Sequence, residues 1–422
     1  MIKKIISVLL SASVLMLGSC ADEPVVTDQK PVTTITLSWW GNDSRNEYTL
    51  EAVERFEKLH PDIKVKCSYS EWQGYEARSR TQMISDTEAD VMQINVGWLR
   101  QYSPDGTGYY DLEKVSDIIS LDNFPKDYLE YGKRNGVLNA VPIAMNAETV
   151  YFNKSIYDRY GLEIPKTWDD LFKAAEAMRK DGVYPLSGAA KSLWMYCMAY
   201  AEQQNGKHFF NGSDEITFTA DDLQILIDFY CRMVNEGVIP KVEDFQRYNI
   251  DNLVYAGLVG WVSDAMNYLQ KPIDEGSEFI AGSYTADSPE NSGVGWYEKP
   301  ATLYAISKNT EHPKEAALLM DFMLNSTEWA ELQGVEKGIP ISDSVRDYLE
   351  SKGDLSGIQY EASQVMENND KISPMNSIIE DDKLYNSFID ACNLVLFDKA
   401  TPEEAAAQLY EIYSESYAMQ GG

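Results

Sequence analysis

Apolar and polar residues alternate through residues 35–39: Ile35, Leu37 and Trp39 share one face, and Thr36, Ser38 and Trp40 the other. That period of two predicts a strand. A three-residue spacing replaces it over residues 48–59, where Leu50, Val53, Phe56 and Leu59 recur between charged positions. It predicts a helix, stopped by His60-Pro61-Asp62. Alternation returns at 63–67. Strand, helix, strand is the opening of an α/β unit on a largely parallel sheet. A helical pattern at 74–86 and a buried strand at 89–94 extend it.

Short extended pieces are expected at 139–143 and 149–153, and a brief helix at 156–161 closed by Gly161. Thr167 then reads as an N-cap, with Asp169 and Asp170 in the first turn of a helix that runs to Gly182. A strand should follow at 184–187. Leu223, Leu226, Ile227, Tyr230 and Val234 define one face of a helix at 223–236, and residues 254–262 mix a helix end, glycines and a strand. A helix at 313–325 turns Ala316, Leu319, Met320 and Met323 inward. Thr401-Pro402-Glu403-Glu404 is a capping box with proline at the first helical position, and it starts a C-terminal helix.

The N-terminus follows neither period. Met1-Ile2-Lys3-Lys4 is basic, residues 5–17 are mostly apolar, and Gly18-Ser19-Cys20 follows, which reads as a secretory signal over 1–19. The apolar run is too short and interrupted for a membrane span. Leu17-Gly18-Ser19-Cys20 has the form of a bacterial lipobox, in which Cys20 is diacylated and becomes the mature N-terminus. Multiple acyl chains on Cys20 would anchor the protein stably. An ordinary signal peptide with a chance cysteine is the alternative. Residues 20–32 read as a polar, proline-bearing tether.

The chain of 422 residues carries a formal charge of −31, and loss of Lys3 and Lys4 makes the mature chain two charges more negative. This argues against nucleic acid as a partner, because basic contacts to phosphate dominate such binding. It also argues against a polyanionic ligand. The acidity keeps an exported protein soluble. Cys67, Cys197, Cys231 and Cys392 lie far apart, with no C-x-x-C spacing. A chain of this length needs no staples, so buried free thiols are expected, with one bridged pair as the alternative.

Four segments in order resemble extracellular solute-binding proteins of ABC importers, in particular the carbohydrate-binding group related to maltose-binding protein. "ITLSWWGNDSRNEYTLEAVERFEKLHPDIKVK" is similar to the family's first strand, helix and strand. "YFNKSIYDRYGLEIPKTWDDLFKAAEAMRKDGVYPL" is similar to the passage after the first hinge crossing, and is the most specific. "ATLYAISKNTEHPKEAALLMDFMLNSTEWAEL", followed by "KGIPIS", resembles the return to the first lobe. The lipobox agrees with them. The resemblance implies a two-lobe periplasmic-binding-protein-like fold of type II. Each lobe would be a mainly parallel sheet flanked by helices, with the ligand cleft between lobes. The N-terminal lobe would hold residues 33–143 and 299–336, and the C-terminal lobe 146–298 and 338–419. Hinge crossings would lie near 144–146, 297–300 and 336–340. Implied partners are the permease subunits of an importer, and the protein would act as a lipid-anchored monomer facing outside, or into a periplasm if the host has an outer membrane.

Open α/β sheets bind ligands beyond the carboxyl ends of their strands. Trp39 is on the apolar face and belongs to the core, whereas Trp40 falls where the strand stops and suits a cleft wall. Asn42, Asp43 and Arg45 occupy the turn behind it; Asp43 or Ser44 acting only as a helix cap is the alternative. The same rule marks Asn95 and Trp98, and Glu71 and Trp72 a few residues after the second strand. In the second half it marks Trp194, Asp264 and Trp296-Tyr297-Glu298, and Asn146 lies at the first crossing itself. Trp168 and Trp329 fall inside helical patterns and Trp261 in an apolar run, so these three are expected in the core. Tryptophans at strand ends beside carboxylates, amides and an arginine suit a sugar. Pyranose C–H faces stack on rings, and the hydroxyl rim takes charge-assisted hydrogen bonds. Several walls suit a neutral oligosaccharide rather than a monosaccharide.

His60, His208 and His312 are the only histidines, and no H-E-x-x-H, Walker loop, G-x-S-x-G or metal-spaced Cys/His set occurs. No catalytic residue, metal or cofactor is expected. The alternatives are a receptor domain for a membrane sensor, a binding protein for a non-sugar solute, and a secreted glycan-active enzyme using two carboxylates.

Overall fold

The computed structural model describes residues 31–210, 217–241 and 254–420; the signal-like segment and Cys20 lie outside the described residues. Strand β1 (Thr33–Trp40) lies between β2 (Ile63–Ser70) and β3 (Val91–Ile94), parallel to both. β4 (Lys133–Arg134) and β5 (Val137–Leu138) form a separate hairpin. Then come β6 (Ala140–Asn153), β7 (Ser187–Gly188), β8 (Gly257–Trp261), β9 (Phe279–Gly282), β10 (Tyr297–Ile306) and β11 (Ser373–Pro374). The main sheet runs β2-β1-β3-β10-β6-β8-β7, with β9 added on β6 and β11 on β10.

β6 and β10 join the two halves of this mixed sheet. β10 pairs antiparallel with β3 through Leu303–Ile306, and with β6 from Glu298 to Ala305. β6 then continues into antiparallel pairing with β8 and β9. The two extended pieces expected at 139–143 and 149–153 are therefore one strand of 14 residues, all of them buried. A strand covered on both faces shows no alternation. Its middle reads as a break only because Asn146 and Glu148 are polar residues carried into the interior.

Capping sets the helix starts. The first helix begins at Asp43, ahead of its apolar stripe, because the Asn42 side chain accepts from the Arg45 N–H at 2.9 Å. Neither Asp43 nor Ser44 is the cap. Thr167 and Asp170 form a reciprocal capping box, as do Thr401 and Glu404. The strand expected at 184–187 shrinks to Ser187–Gly188. Tyr184 reaches only an isolated bridge to Tyr255, and Pro185 has no N–H for a ladder.

Ile35, Leu37, Trp39 and Phe56 of the first half and Trp168, Leu171, Tyr196 and Tyr230 of the second belong to one continuous core. Helices Ala190–Asn205, Ala220–Glu236, Asp382–Leu396 and Pro402–Gln420 pack together against the second half. Cys197, Cys231 and Cys392 are buried free thiols, and Cys67 is a half-buried one. Among the described residues no helix is long and apolar enough to cross a membrane.

Candidate functional site

The carboxyl ends of β1, β3 and β8 open onto one solvent-connected cavity of about 270 Å³. That is close to the lower end of the roughly 300–1,000 Å³ range of small-molecule sites. Trp40, Trp72 and Trp261 are its aromatic walls, and Gln93, Asn95, Asn146, Ser263 and Thr302 are its neutral polar groups. Arg45, Lys299, Glu336 and Lys337 supply charge.

The doubled tryptophan divides as the alternation predicts. Trp39 is fully buried; its indole N–H donates to Asn46 Oδ1 at 3.0 Å and its ring stacks on Tyr69 at 4.7 Å. Trp40 is half-buried beside the cavity. Trp72 meets it edge-on at 4.9 Å and Tyr75 lies 5.4 Å away. Trp98 stacks on Trp72 at 6.0 Å and on Tyr75 at 5.9 Å, but it is buried, so it braces the wall from behind.

Trp261 corrects the expectation of a core residue. Its strand ends there, and its half-buried ring lines the cavity instead. The Lys299 and Lys191 ammoniums lie 4.5 and 5.5 Å from the ring centroid. Both donate to Glu380, Lys191 at 2.8 Å. Burial opposes ionisation of Glu380, but the two ammoniums hold its pKa down to about 2. Glu148, deeper on β6, goes the other way. Burial pushes it up to about 7, although Ser192 Oγ at 2.5 Å and the Tyr284 hydroxyl at 3.2 Å donate to it.

Gly41 lets Arg45 fold back: a Cβ at position 41 would fall 2.4 Å from Arg45 Cδ. The guanidinium forks onto Glu336, with Nη2–Oε1 at 2.8 Å and Nε–Oε2 at 3.0 Å, and the Tyr48 hydroxyl donates to the same carboxylate at 2.6 Å. Burial works against the Glu336 charge, yet these bonds keep its pKa below the usual value. Lys337, only 3 % exposed, donates to the Tyr304 hydroxyl at 2.8 Å and to Gln93 Oε1 at 3.3 Å. Burial, then repulsion from Arg45, drives its pKa well down. Gln93 Nε2 is buried without a partner. Asn146 Nδ2 donates to Ser263 Oγ at 2.8 Å while Asn146 Oδ1 accepts from the Ser263 N–H at 3.1 Å.

Of the residues expected to touch a ligand, Trp40, Arg45, Trp72, Asn95 and Asn146 meet at this cavity. Asn95 also caps helix Val96–Tyr102, accepting from the Gly97 N–H at 2.8 Å. Asn42 is spent on its own helix cap, and Asp43 and Glu71 are exposed at helix starts. Glu298 accepts from the Tyr131 hydroxyl at 2.9 Å and does not line the cavity. The side chain of Asp264 lies outside the described residues; its backbone ends the turn Val262–Asp264.

Trp194, Trp296 and Tyr297 are fully buried and offer a ligand no surface. Trp194 sits inside helix Ala190–Asn205 against Phe210 and Tyr413, and that helix is buried on nearly every side, which hides its period. Trp296 stacks on Tyr284 at 5.6 Å, and the Tyr297 hydroxyl donates to Glu202.

Gln93, Trp261, Ser263, Lys299, Thr302, Glu336 and Lys337 were missed. The strand-end rule, applied to 257–261 as a strand, finds Trp261 and Ser263. Lys299, Glu336 and Lys337 carry no local motif; only their place at the crossings marks them.

The profile of bacterial extracellular solute-binding proteins matches residues 42–328. The chain belongs to this family. An uncharacterized ABC transporter extracellular-binding protein of Pyrococcus horikoshii is 27% identical over 329 residues, covering 72% of this chain and 71% of the relative. A melibiose/raffinose/stachyose-binding protein of Bacillus subtilis is 27% identical over 173 residues, 40% of this chain and 39% of its own. The structure of a periplasmic oligogalacturonide-binding protein from Yersinia enterocolitica, in complex with saturated digalacturonic acid, matches with a TM-score of 0.81. It is 28% identical and covers 92% of this chain and 99% of its own. The fold is therefore that of the two-lobe periplasmic solute-binding proteins, and the chain is a solute-binding protein of the ABC-transporter class.

Proposed function

We propose that this protein captures an oligosaccharide between two lobes and delivers it to the membrane permease of an ABC importer. The observation that carries the reading is the cavity at the strand ends, with Trp40 and Trp72 on one side, Trp261 on the other, and amides, hydroxyls and charges between. Rings and hydrogen-bonding groups set around one space match the apolar faces and hydroxyl rim of a pyranose. The named ligands of the Bacillus and Yersinia relatives support a sugar.

The lobes are 33–143 with 299–336, and 146–298 with 338–419. In support, the β6–β10 register shifts between Pro300 and Leu303, and the third crossing touches β6 through the Ala144–Pro340 bridge. A diacylated Cys20 tethers the monomer outside the membrane. Thermal shift followed by calorimetry against a panel of oligosaccharides tests the function, since bound ligand raises the melting temperature by mass action. Saturable binding of a glycan is expected. Binding of a peptide or polyamine with no response to any glycan would overturn the sugar, and release of product from a glycan would make the protein an enzyme.

A further inference from the structure

We propose that the oligosaccharide is anionic, with a carboxylate- or sulfate-bearing pyranose seated on Trp261 and its charge taken by Lys299 and Lys337. This inference rests on the carbohydrate reading above and reverses the neutral ligand inferred from net charge.

The overall charge of −31 says little about the cleft. The cavity is lined by Arg45, Lys299 and Lys337 against Glu336 alone. Arg45 and Glu336 satisfy one another through a forked pair. Lys299 must share Glu380 with Lys191, so two ammoniums face one carboxylate. The next carboxylate, Glu148, is fully buried and held toward its neutral form. Lys337 is buried with hydrogen bonds only to the neutral oxygens of Tyr304 and Gln93.

Burial and Arg45 hold Lys337 toward its neutral amine, and a ligand anion beside it favours the ammonium. A sugar hydroxyl accepts a hydrogen bond but leaves the charge unbalanced. Gln93 Nε2, buried and unpartnered beside Lys337, is a second donor for the same anion. Lys299, over the Trp261 ring at 4.5 Å from its centroid, sets a cation directly against the aromatic wall.

The cationic lining continues past this cavity. Asn95 lines it, and Val96 lines a second cavity of about 290 Å³ with Arg100, Lys133 and Arg134 against Glu130. A longer acidic chain would find further cations there.

Calorimetric titration of the purified protein with di- and trigalacturonate, their methyl esters, sulfated disaccharides and neutral oligosaccharides tests this. A free uronate binding at least about tenfold more tightly than its ester supports the proposal, because the ester replaces a charge-assisted hydrogen bond with a neutral one. Preference for the sulfated sugars over the neutral ones supports it with sulfate as the anion. Lys299→Met and Lys337→Met should each remove most of the acid-over-neutral preference. The ester comparison on the unaltered protein stands even if these variants do not fold. Equal or tighter binding of neutral sugars overturns the anionic ligand while leaving the carbohydrate function intact. Failure of every glycan overturns both.

Discussion

Trp40 and Trp261 face one cavity from different strands of the sheet, and they are held by different forces. Trp40 is held among rings: Trp72 and Tyr75 touch it, and Trp98 supports both. Trp261 has two ammoniums over its ring, tied to Glu380. The first wall owes its shape to apolar packing, which no titration disturbs. The second depends on ionised groups, so its geometry should follow pH. A site built this way gains a fixed platform on one side and a polar, adjustable one on the other.

Emptying the core on the opposite face of β1 from the first wall should have the largest effect. Trp39→Ala deletes a fully buried ring and should lower stability by about 3–5 kcal/mol. Trp40→Ala, measured beside it by chemical denaturation and calorimetry, should lose far less stability but at least about tenfold in affinity.

Breaking the second wall comes next. Glu380→Gln leaves Lys191 and Lys299 without their carboxylate. Glu380 keeps 25% of its side-chain surface exposed, so the loss should be about 2–4 kcal/mol, under that of a sealed pair. The pH dependence separates Glu380 from Glu148. The folded-state pKa of Glu380 lies below the usual 4.5, so its stabilisation is present above about pH 4.5 and is lost as pH falls toward 2. That of Glu148 is raised to about 7, so its contribution is full below about 4.5 and is lost as pH rises through 7. Denaturation curves across pH should lose the acid-side slope in Glu380→Gln and the slope between 4.5 and 7 in Glu148→Gln.

Gly41→Ala forces a methyl against Arg45 and pushes it from Glu336. It should cost about 1–3 kcal/mol, read as a fall in melting temperature, and weaken ligand binding. The smallest effect should come from Asp43→Asn, which changes an exposed helix-start residue. Stability within about 0.5 kcal/mol and unchanged affinity are expected; a clear loss of affinity would bring Asp43 back to the ligand.

The contrast between the walls also explains what could be read in advance. Period-two alternation and strand ends located Trp39, Trp40 and Asn95, because β1 and β3 are short strands with visible stops. β6 was cut in two, since a strand buried on both faces has no alternation and its Asn146 and Glu148 look like loop residues. Trp261 looked like core because four of the residues before it on β8 are buried, and only the strand's last position emerges. Trp194 looked like a wall because a helix buried all round gives no period. The charges of the second wall come from Lys191, Lys299 and Glu380, brought together across the sequence by the tertiary fold. Net charge, a sum over the whole surface, does not show that Arg45, Lys299 and Lys337 gather at one cavity.

The claim at the centre is that one ligand bridges the two walls. Calorimetric titration of Trp40→Ala and Trp261→Ala with the glycan that binds the unaltered protein most tightly tests it directly. At least about a tenfold loss of affinity in each variant, with melting temperatures near that of the parent, is predicted. Unchanged affinity in either one, or no glycan binding by the parent, would contradict it.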